Sequence, residues 1–176
     1  MDLSLDSGKR EANAMPEKIG HYRFVAAVFR DVGDLAATLV ELRAQNFAPG
    51  RLLVLATNLG DMHTRLTRLG LGEMPIAPVH SASQSVPPSE GEPRLDSGLR
   101  KLLNEVQSVP EEGEAGLVNG KETSQIYAQL RQDADDGGNV LVASVANPEE
   151  QLAGARILLR QRCECVLTHE IAAHDA

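Results

Sequence analysis

The two cysteines, Cys163 and Cys165, are the residues whose type and spacing come nearest to a chemical site. They stand two positions apart in a segment that we interpret as a strand, where side chains at i and i+2 share a face. Together with His169, which is close in sequence, they would supply three metal ligands, but a closed zinc site needs four. We therefore predict no metal and no cofactor, and interpret the cysteines as small apolar strand residues. A redox or metal role for the pair stays open.

The five histidines form neither an H-x-x-x-H nor an H-E-x-x-H pattern, so they predict no zinc site. No G-x-S-x-G motif is present, and the serines cluster in a proline-rich stretch where nothing holds a base beside them. We therefore predict no catalytic residue and a chain that is not an enzyme. A site assembled from the dispersed residues His63, Arg65 and Tyr127 stays open. The histidines are His21, His63, His80, His169 and His174.

The glycine-rich and acidic segments are interpreted as turns and loops. Residues 113–120 and the pair Gly137 and Gly138 lack the Lys-Ser/Thr ending of a P-loop and the G-x-G-x-x-G pattern, so no nucleotide site is predicted. The pair instead indicates a turn with positive φ. Residues 133–136 begin like a calcium loop, but Ser144 stands where a bidentate glutamate is needed, so we expect a solvated loop.

Charge and hydropathy limit the partners. The formal net charge of −8 repels phosphate backbones and anionic lipid, so neither nucleic acid nor a membrane is an expected partner. Arg156, Arg160 and Arg162 form a small basic strip, either for helix-dipole compensation and solubility or for an anionic partner. Residues 1–20 lack the apolar core of an export signal and are interpreted as a disordered tail. With no disulfide framework, a cytoplasmic location is expected.

Two stretches of the chain have the same order of elements. In the first, an apolar strand at residues 22–29 is followed by a helix capped by Asp31 and by a second strand at residues 52–56. In the second, a strand at residues 140–145 is followed by a helix and by a strand at residues 163–167. The second helix begins at Asn147 as N-cap, with Pro148 at the first helical position and Glu150 placed to close a capping box.

Two such units predict an α+β, ferredoxin-like fold: a four-stranded antiparallel sheet with both helices on one face. The first strand of each unit takes a central position, and residues 52–56 and 163–167 become edges. We expect a single domain over residues 21–176, with an insert at residues 57–138 between the halves. Within the insert we predict helices at residues 59–69, after Asp96 and at residues 122–132, and a mobile Pro/Ser-rich loop at about residues 73–95.

The residues also resemble a known family. Residues 126–173 combine a tyrosine-bearing helix, a Gly-Gly turn into a Leu-Val strand, an acidic helix start and a last strand followed by glutamate. In these features they resemble the C-terminal half of the small bacterial heat-induced general-stress proteins, the YflT-like family. The stretch VAAVFRDVGDLAATLVELRAQNF resembles that family's opening. The matching positions are Tyr127, Gly137, Gly138, Leu141, Val142, Glu149, Glu150, Leu158 and Glu170. Arg162 and Cys163 replace the Gly-Ala that often begins the last strand in that family, and the family's Gly/Ala-rich stretch is missing.

The resemblance implies a stress-linked or accessory protein with no family catalytic residues. Our first hypothesis is therefore a non-enzymatic protein that acts through protein–protein contacts. Exposed edge strands pair readily with another chain, so self-association into a homodimer through an edge strand is part of this hypothesis. The alternative is a small-ligand-binding regulatory domain with its ligand at a subunit interface, which rests on analogy between folds.

Overall fold

The computed structural model describes residues 20–80, 95–109 and 121–173. The strands are β1 (Gly20–Phe29), β2 (Leu52–Ala56), β3 (Ile76–Pro78), β4 (Asn139–Val145) and β5 (Val166–Ala173). The helices are α1 (Val32–Ala44), α2 (Leu59–Arg68), α3 (Ser97–Ser108), α4 (Lys121–Asp135) and α5 (Pro148–Arg160), and a 3-10 turn, Pro49–Arg51, precedes β2. The tail expected at residues 1–20 lies outside the described residues, except Gly20, which begins β1.

The strands form one mixed, open sheet in the order β3-β2-β4-β1-β5. The four predicted strands are neighbours in antiparallel pairs, and β1 and β4 are central as expected. The fifth strand, β3, pairs in parallel with β2, so the prediction of a four-stranded antiparallel sheet is wrong. Residues 73–80 were expected to belong to a loop because residues 73–94 carry five prolines with several serines and glutamates. Pro78 is tolerated there because an edge strand has one side on which no N–H is needed.

Helices cover both faces of the sheet. On the first face α1, α2 and α5 pack against the side chains of Val25, Val54 and Leu141. On the second face α3 and α4 pack against Phe24 and Val142. The expectation of helices on one face therefore holds for α1 and α5 only. The central strands are apolar on both sides, so each side needs a cover, and the insert supplies the second one. Within the described residues, no helix is long and apolar enough to cross a membrane.

The predicted helix starts are confirmed. Asp31, Asp96 and Asn147 are the N-caps of α1, α3 and α5, and each side-chain oxygen accepts a hydrogen bond from a first-turn amide. The capping box of α5 differs from the prediction, because Glu150 accepts from the amide of Ala146, one residue before the N-cap. Its carboxylate is held there by a second partner, Arg51.

The last strand lies further along the chain than predicted. Residues 163–165 precede β5 in an irregular turn, and the strand begins at Val166. The edges of the sheet are also different. Strand β2 is covered by β3, so the prediction that residues 52–56 form an edge is wrong, whereas β5 is an edge. The mobile loop expected at residues 73–95 is partly β3, and residues 81–94 lie outside the described part of the chain.

Candidate functional site

Strand β5 is the edge of the sheet beside β1, and no strand within residues 20–80, 95–109 and 121–173 pairs with its outer side. The backbone of Val28 bonds to Glu164 and Cys165, which marks the even-numbered residues of β1 as those turned toward β5. The register pairs these residues with the odd-numbered residues of β5, whose backbone N–H and C=O groups therefore point toward β1. The backbone groups of Val166 and Thr168 therefore point outward. Such groups can accept a further strand.

Helix α5 lies over β1 and β5 and carries two exposed leucines. Leu152 is 53% exposed and Leu159 is 70% exposed. They stand seven residues apart, about two helical turns, and so lie on the same side of the helix. Glu150 bonds to Arg51, which precedes β2, and Gln161 bonds to Glu41 of α1. Both residues stand about 180° around the helix axis from the leucines. The leucines thus face away from α1, on the side of the β5 edge. We call β5, Leu152 and Leu159 the edge surface.

Charges around the edge surface are ordered along α5. Glu149 lies exposed at the start of the helix. The three arginines of the predicted basic strip, Arg156, Arg160 and Arg162, lie exposed at its C-terminal half and just beyond it. None of the three forms an ion pair with a described residue. The edge surface therefore has an acidic end and a basic end.

Two ion pairs fasten the last strand to β1. Arg23 contacts Glu170 at 2.8 Å, and Arg30, after β1, contacts Glu164 at 2.9 Å. The hydrogen bond between Arg30 and Glu164 raises the pKa of the arginine and lowers the pKa of the carboxyl. The turn before β5 and the middle of the strand are thus tied to the sheet by side chains as well as by the backbone ladder. A strand held in this way is a preformed edge.

The two cysteines do not converge. Cys163 packs against the first-face cluster and Cys165 against the second. The prediction that they share a face is wrong, because both stand in the turn before β5, where strand alternation does not apply. Burial raises the pKa of both thiols, and Cys163 Sγ donates to the carbonyl of Leu158 at 3.3 Å. Among the described residues, no group of three or more histidine, cysteine, aspartate or glutamate side chains is placed to hold a metal ion.

The dispersed residues of the open enzyme hypothesis also lie apart. His63 and Arg65 are exposed on α2, which covers the first face. Tyr127 is buried on the second face. The sheet separates the two groups, so these three residues do not form a common site. The side chain of His21 and the whole of His174 lie outside the described structure.

His80 forms a polar group with Arg131 and Asp135 that was missed in the sequence. Arg131 Nη2 donates to His80 Nδ1 at 2.7 Å, because a guanidinium has donors only. The ring proton is then on Nε2, 2.6 Å from Asp135 Oδ1. Arg131 also donates to the carbonyl of Val109. Both ring nitrogens are in use, so the group ties the end of β3 to α4 and leaves no lone pair for base catalysis.

The acidic residues predicted to form a loop belong to the end of α4. Asp133 accepts from Gln129 and Asp135 pairs with His80, so the predicted solvated loop is wrong. The turn that follows agrees with the prediction, because Gly137 has a φ of 83°. Gly138 is required for space. A Cβ at this position would stand 2.5 Å from the carbonyl oxygen of Asp133.

A narrow apolar crevice lies between α3, α4 and the second face of the sheet. Its lining includes Tyr127 from α4 and Leu167 and His169 from β5. The space is about 10 Å³, enough for about one water molecule. Burial, with a smaller contribution from Glu105, raises the pKa of Tyr127 to about 12. The crevice adjoins the β5 edge but is closed to a metabolite in this conformation.

Sequence reasoning found β5 as an edge but missed the leucines beside it. No signal in the sequence of α5 separates Leu152 and Leu159 from buried residues such as Ile157 and Leu158, because all four are apolar residues of one helix. No protein-family model, no curated protein and no solved structure matches the chain.

Proposed function

We propose that this chain is a non-enzymatic accessory or stress-response protein that acts through protein–protein contacts, and that the edge surface makes those contacts. The observation that carries the proposal is a strand edge with which no described strand pairs, together with two exposed leucines on the same side of the molecule. Single exposed apolar residues are ordinary on proteins. Two exposed leucines beside the edge of β5, in contrast, offer a partner both apolar surface and backbone groups for hydrogen bonds.

The other large exposed apolar side chains of the described residues provide the contrast. Val40 on α1 and Leu69 after α2 are each 54% exposed, about as much as Leu152. Neither lies on β5 or on the helix that covers it. They are matched in exposure but not in position, and so serve as controls.

The stress-response part of the proposal rests on the resemblance of residues 126–173 to the YflT-like general-stress proteins of bacteria. In the same proposal, β2-β4-β1-β5 is a ferredoxin-like core to which β3 was added, which the order and the antiparallel directions of the four strands support. A cytoplasmic location belongs to it as well, supported by two free cysteines with no disulfide between them.

Proximity labelling in host cells, with and without heat stress, tests the proposal. The chain is compared with a Leu152→Glu/Leu159→Glu variant and with a Val40→Glu/Leu69→Glu control, each at equal abundance. The proposal predicts a set of labelled proteins that is enriched under stress, lost with the first variant and kept with the control. The same labelled set for all three proteins would contradict it.

The alternative function is a small-ligand-binding regulatory domain, and the crevice beside β5 is the observation that favours it. A ligand there would have to widen the space between α4 and β5 and would lie next to the edge surface. A thermal-shift screen with nucleotides, amino acids and metal ions tests it, because a ligand of the folded state raises the Tm. The alternative predicts a shift that Leu167→Trp abolishes, and a screen without any shift counts against it.

A further inference from the structure

We infer that the occupant of the edge surface is a second copy of this chain, bound about a two-fold axis so that the two β5 strands pair in antiparallel fashion. The inference rests on the proposed function, since it names the partner of the same surface. Two-fold dimers are the commonest form of self-association, and they require a patch that complements itself. Three features of the edge surface meet that requirement.

The first feature is the backbone of β5. The outward groups of Val166 and Thr168 lie on an eight-residue strand that β1 already holds straight on its inner side. A two-fold axis through the outer edge sets this strand against its own copy in reverse direction. Each outward amide then meets an outward carbonyl, which is the pairing of an antiparallel ladder. The two five-stranded sheets become one continuous sheet.

The second feature is the spacing of the leucines. Helix α5 is joined to β5 by the irregular turn at residues 161–165 and runs opposite to it, so the rotation that reverses β5 reverses α5 as well. Two antiparallel copies of α5 place Leu152 of one chain beside Leu159 of the other, and the reverse pair follows by symmetry. Both leucines, exposed at 53% and 70% in the single chain, are then buried against each other.

The third feature is the order of charges. Glu149 stands three residues before Leu152, and Arg162 stands three residues after Leu159. In antiparallel copies the opposite ends of the two helices meet, so Glu149 in the first turn of one α5 lies near the end of the other α5, where Arg160 and Arg162 stand. The acidic end of each edge surface meets a basic end. A parallel arrangement would instead set like charges together.

Sedimentation equilibrium of the full chain, over protein concentrations up to about 100 µM, tests the inference. This upper limit is about 100 times a micromolar Kd, so a specific dimer of ordinary affinity would be populated. The expected mass is twice the 18.9 kDa of one chain. A mass of one chain throughout the range, whether because another protein or another segment of this chain occupies the edge, would overturn the inference.

Variants locate the interface. Leu152→Glu/Leu159→Glu is expected to give a monomer. Thr168→Pro is also expected to give a monomer, because it removes an outward N–H while the inward bonds of its neighbours to β1 remain. Val40→Glu/Leu69→Glu is expected to stay dimeric, and circular dichroism checks that all variants are folded. A folded Leu152→Glu/Leu159→Glu variant that is still a dimer would also refute the inference.

The inference and the proposed function can fail separately. A monomer in solution, together with cellular contacts that depend on Leu152 and Leu159, rejects the second copy as occupant and keeps a contact function. A dimer in solution whose disruption leaves the labelled proteins in cells unchanged keeps the dimer and rejects the proposed function.

Discussion

Arg51 and Glu150 stand 99 positions apart in the chain and form a two-pronged ion pair, with Nη1–Oε1 and Nη2–Oε2 distances of 2.9 and 2.5 Å. Arg51 also donates to the carbonyl of Ser144 at the end of β4 and lies over the ring of Phe47 at 5.3 Å from its centroid. The pair joins the turn before β2 to the first turn of α5. It therefore fixes the helix that carries the exposed leucines to the other half of the sheet.

Removal of the charge at Glu150 should destabilise the fold in a pH-dependent way. The bond to Arg51 holds the pKa of this carboxyl below its usual range. Because the folded-state pKa is the lower one, the contribution is full above the unfolded pKa of about 4.3 and is lost as pH falls through the folded pKa. We expect Glu150→Gln to lower the free energy of unfolding by about 1–3 kcal/mol at pH 7.

Urea denaturation at one fixed protein concentration measures this change, since association would otherwise shift the apparent stability. The loss should shrink below pH 4. The exposed carboxylate of Glu105 on α3 provides the control, and Glu105→Gln should change stability by less than about 0.5 kcal/mol. A Glu150→Gln effect of the same size at acid and neutral pH would show that the ion pair is not its cause.

Tyr127 should titrate late and weaken the fold in alkali. The chain has two tyrosines, so Tyr22→Phe leaves Tyr127 as the only one that absorbs as tyrosinate. We expect its titration in the folded variant at a pKa of about 12. Since the unfolded chain loses this proton at about pH 10, the free energy of unfolding should fall between pH 10 and 12. A midpoint at pH 10 in a chain that is still folded would contradict the burial of Tyr127.

Two glycines should respond to alanine in opposite directions. Gly138→Ala places a Cβ 2.5 Å from the carbonyl oxygen of Asp133 and 2.7 Å from Val28, and should cost about 1–3 kcal/mol. Gly60→Ala, in the first turn of α2, meets nothing within 4 Å and should stabilise by about 0.5–1 kcal/mol, because alanine favours the helix. Thermal unfolding of the two variants compares them. A stabilised Gly138→Ala would mean that α4 does not approach β4 as described.

The thiols should resist mutual oxidation. Cys163 and Cys165 are directed to opposite faces of the sheet, and burial raises both pKa values. Mild oxidation of the native chain at pH 7.5 should leave both thiols free by mass spectrometry, whereas the urea-unfolded chain should react with a thiol reagent several-fold faster. Rapid formation of an internal disulfide in the native chain would show that the turn before β5 is misplaced.

Local signals were enough to predict most elements. The caps at Asp31, Asp96 and Asn147 act within one helical turn, and the apolar runs of β1, β2 and β4 are continuous, so each could be recognised from neighbouring residues alone. These runs also indicated which strands are central, because a strand that is apolar on both sides needs cover on both sides.

Features that depend on distant residues could not be predicted in this way. Strand β3 has three residues, follows Pro75 and ends at Pro78, and only its pairing with the edge of β2 makes it a strand. The contact of His80 with Arg131 joins two segments that are 51 positions apart, and neither shows a motif. The exposure of Leu152 depends on which side of α5 is covered by α1 and the sheet, and helical periodicity alone does not specify that side.

Amide hydrogen exchange across β5 tests the edge surface most directly. In the wild-type chain the outward amides of Val166 and Thr168 should be protected, and in Leu152→Glu/Leu159→Glu they should exchange freely while the inward amides of Leu167 and His169 stay protected by β1. Equal and rapid exchange of the outward amides in both proteins, at concentrations where a contact should form, would contradict the claim that β5 is a contact surface.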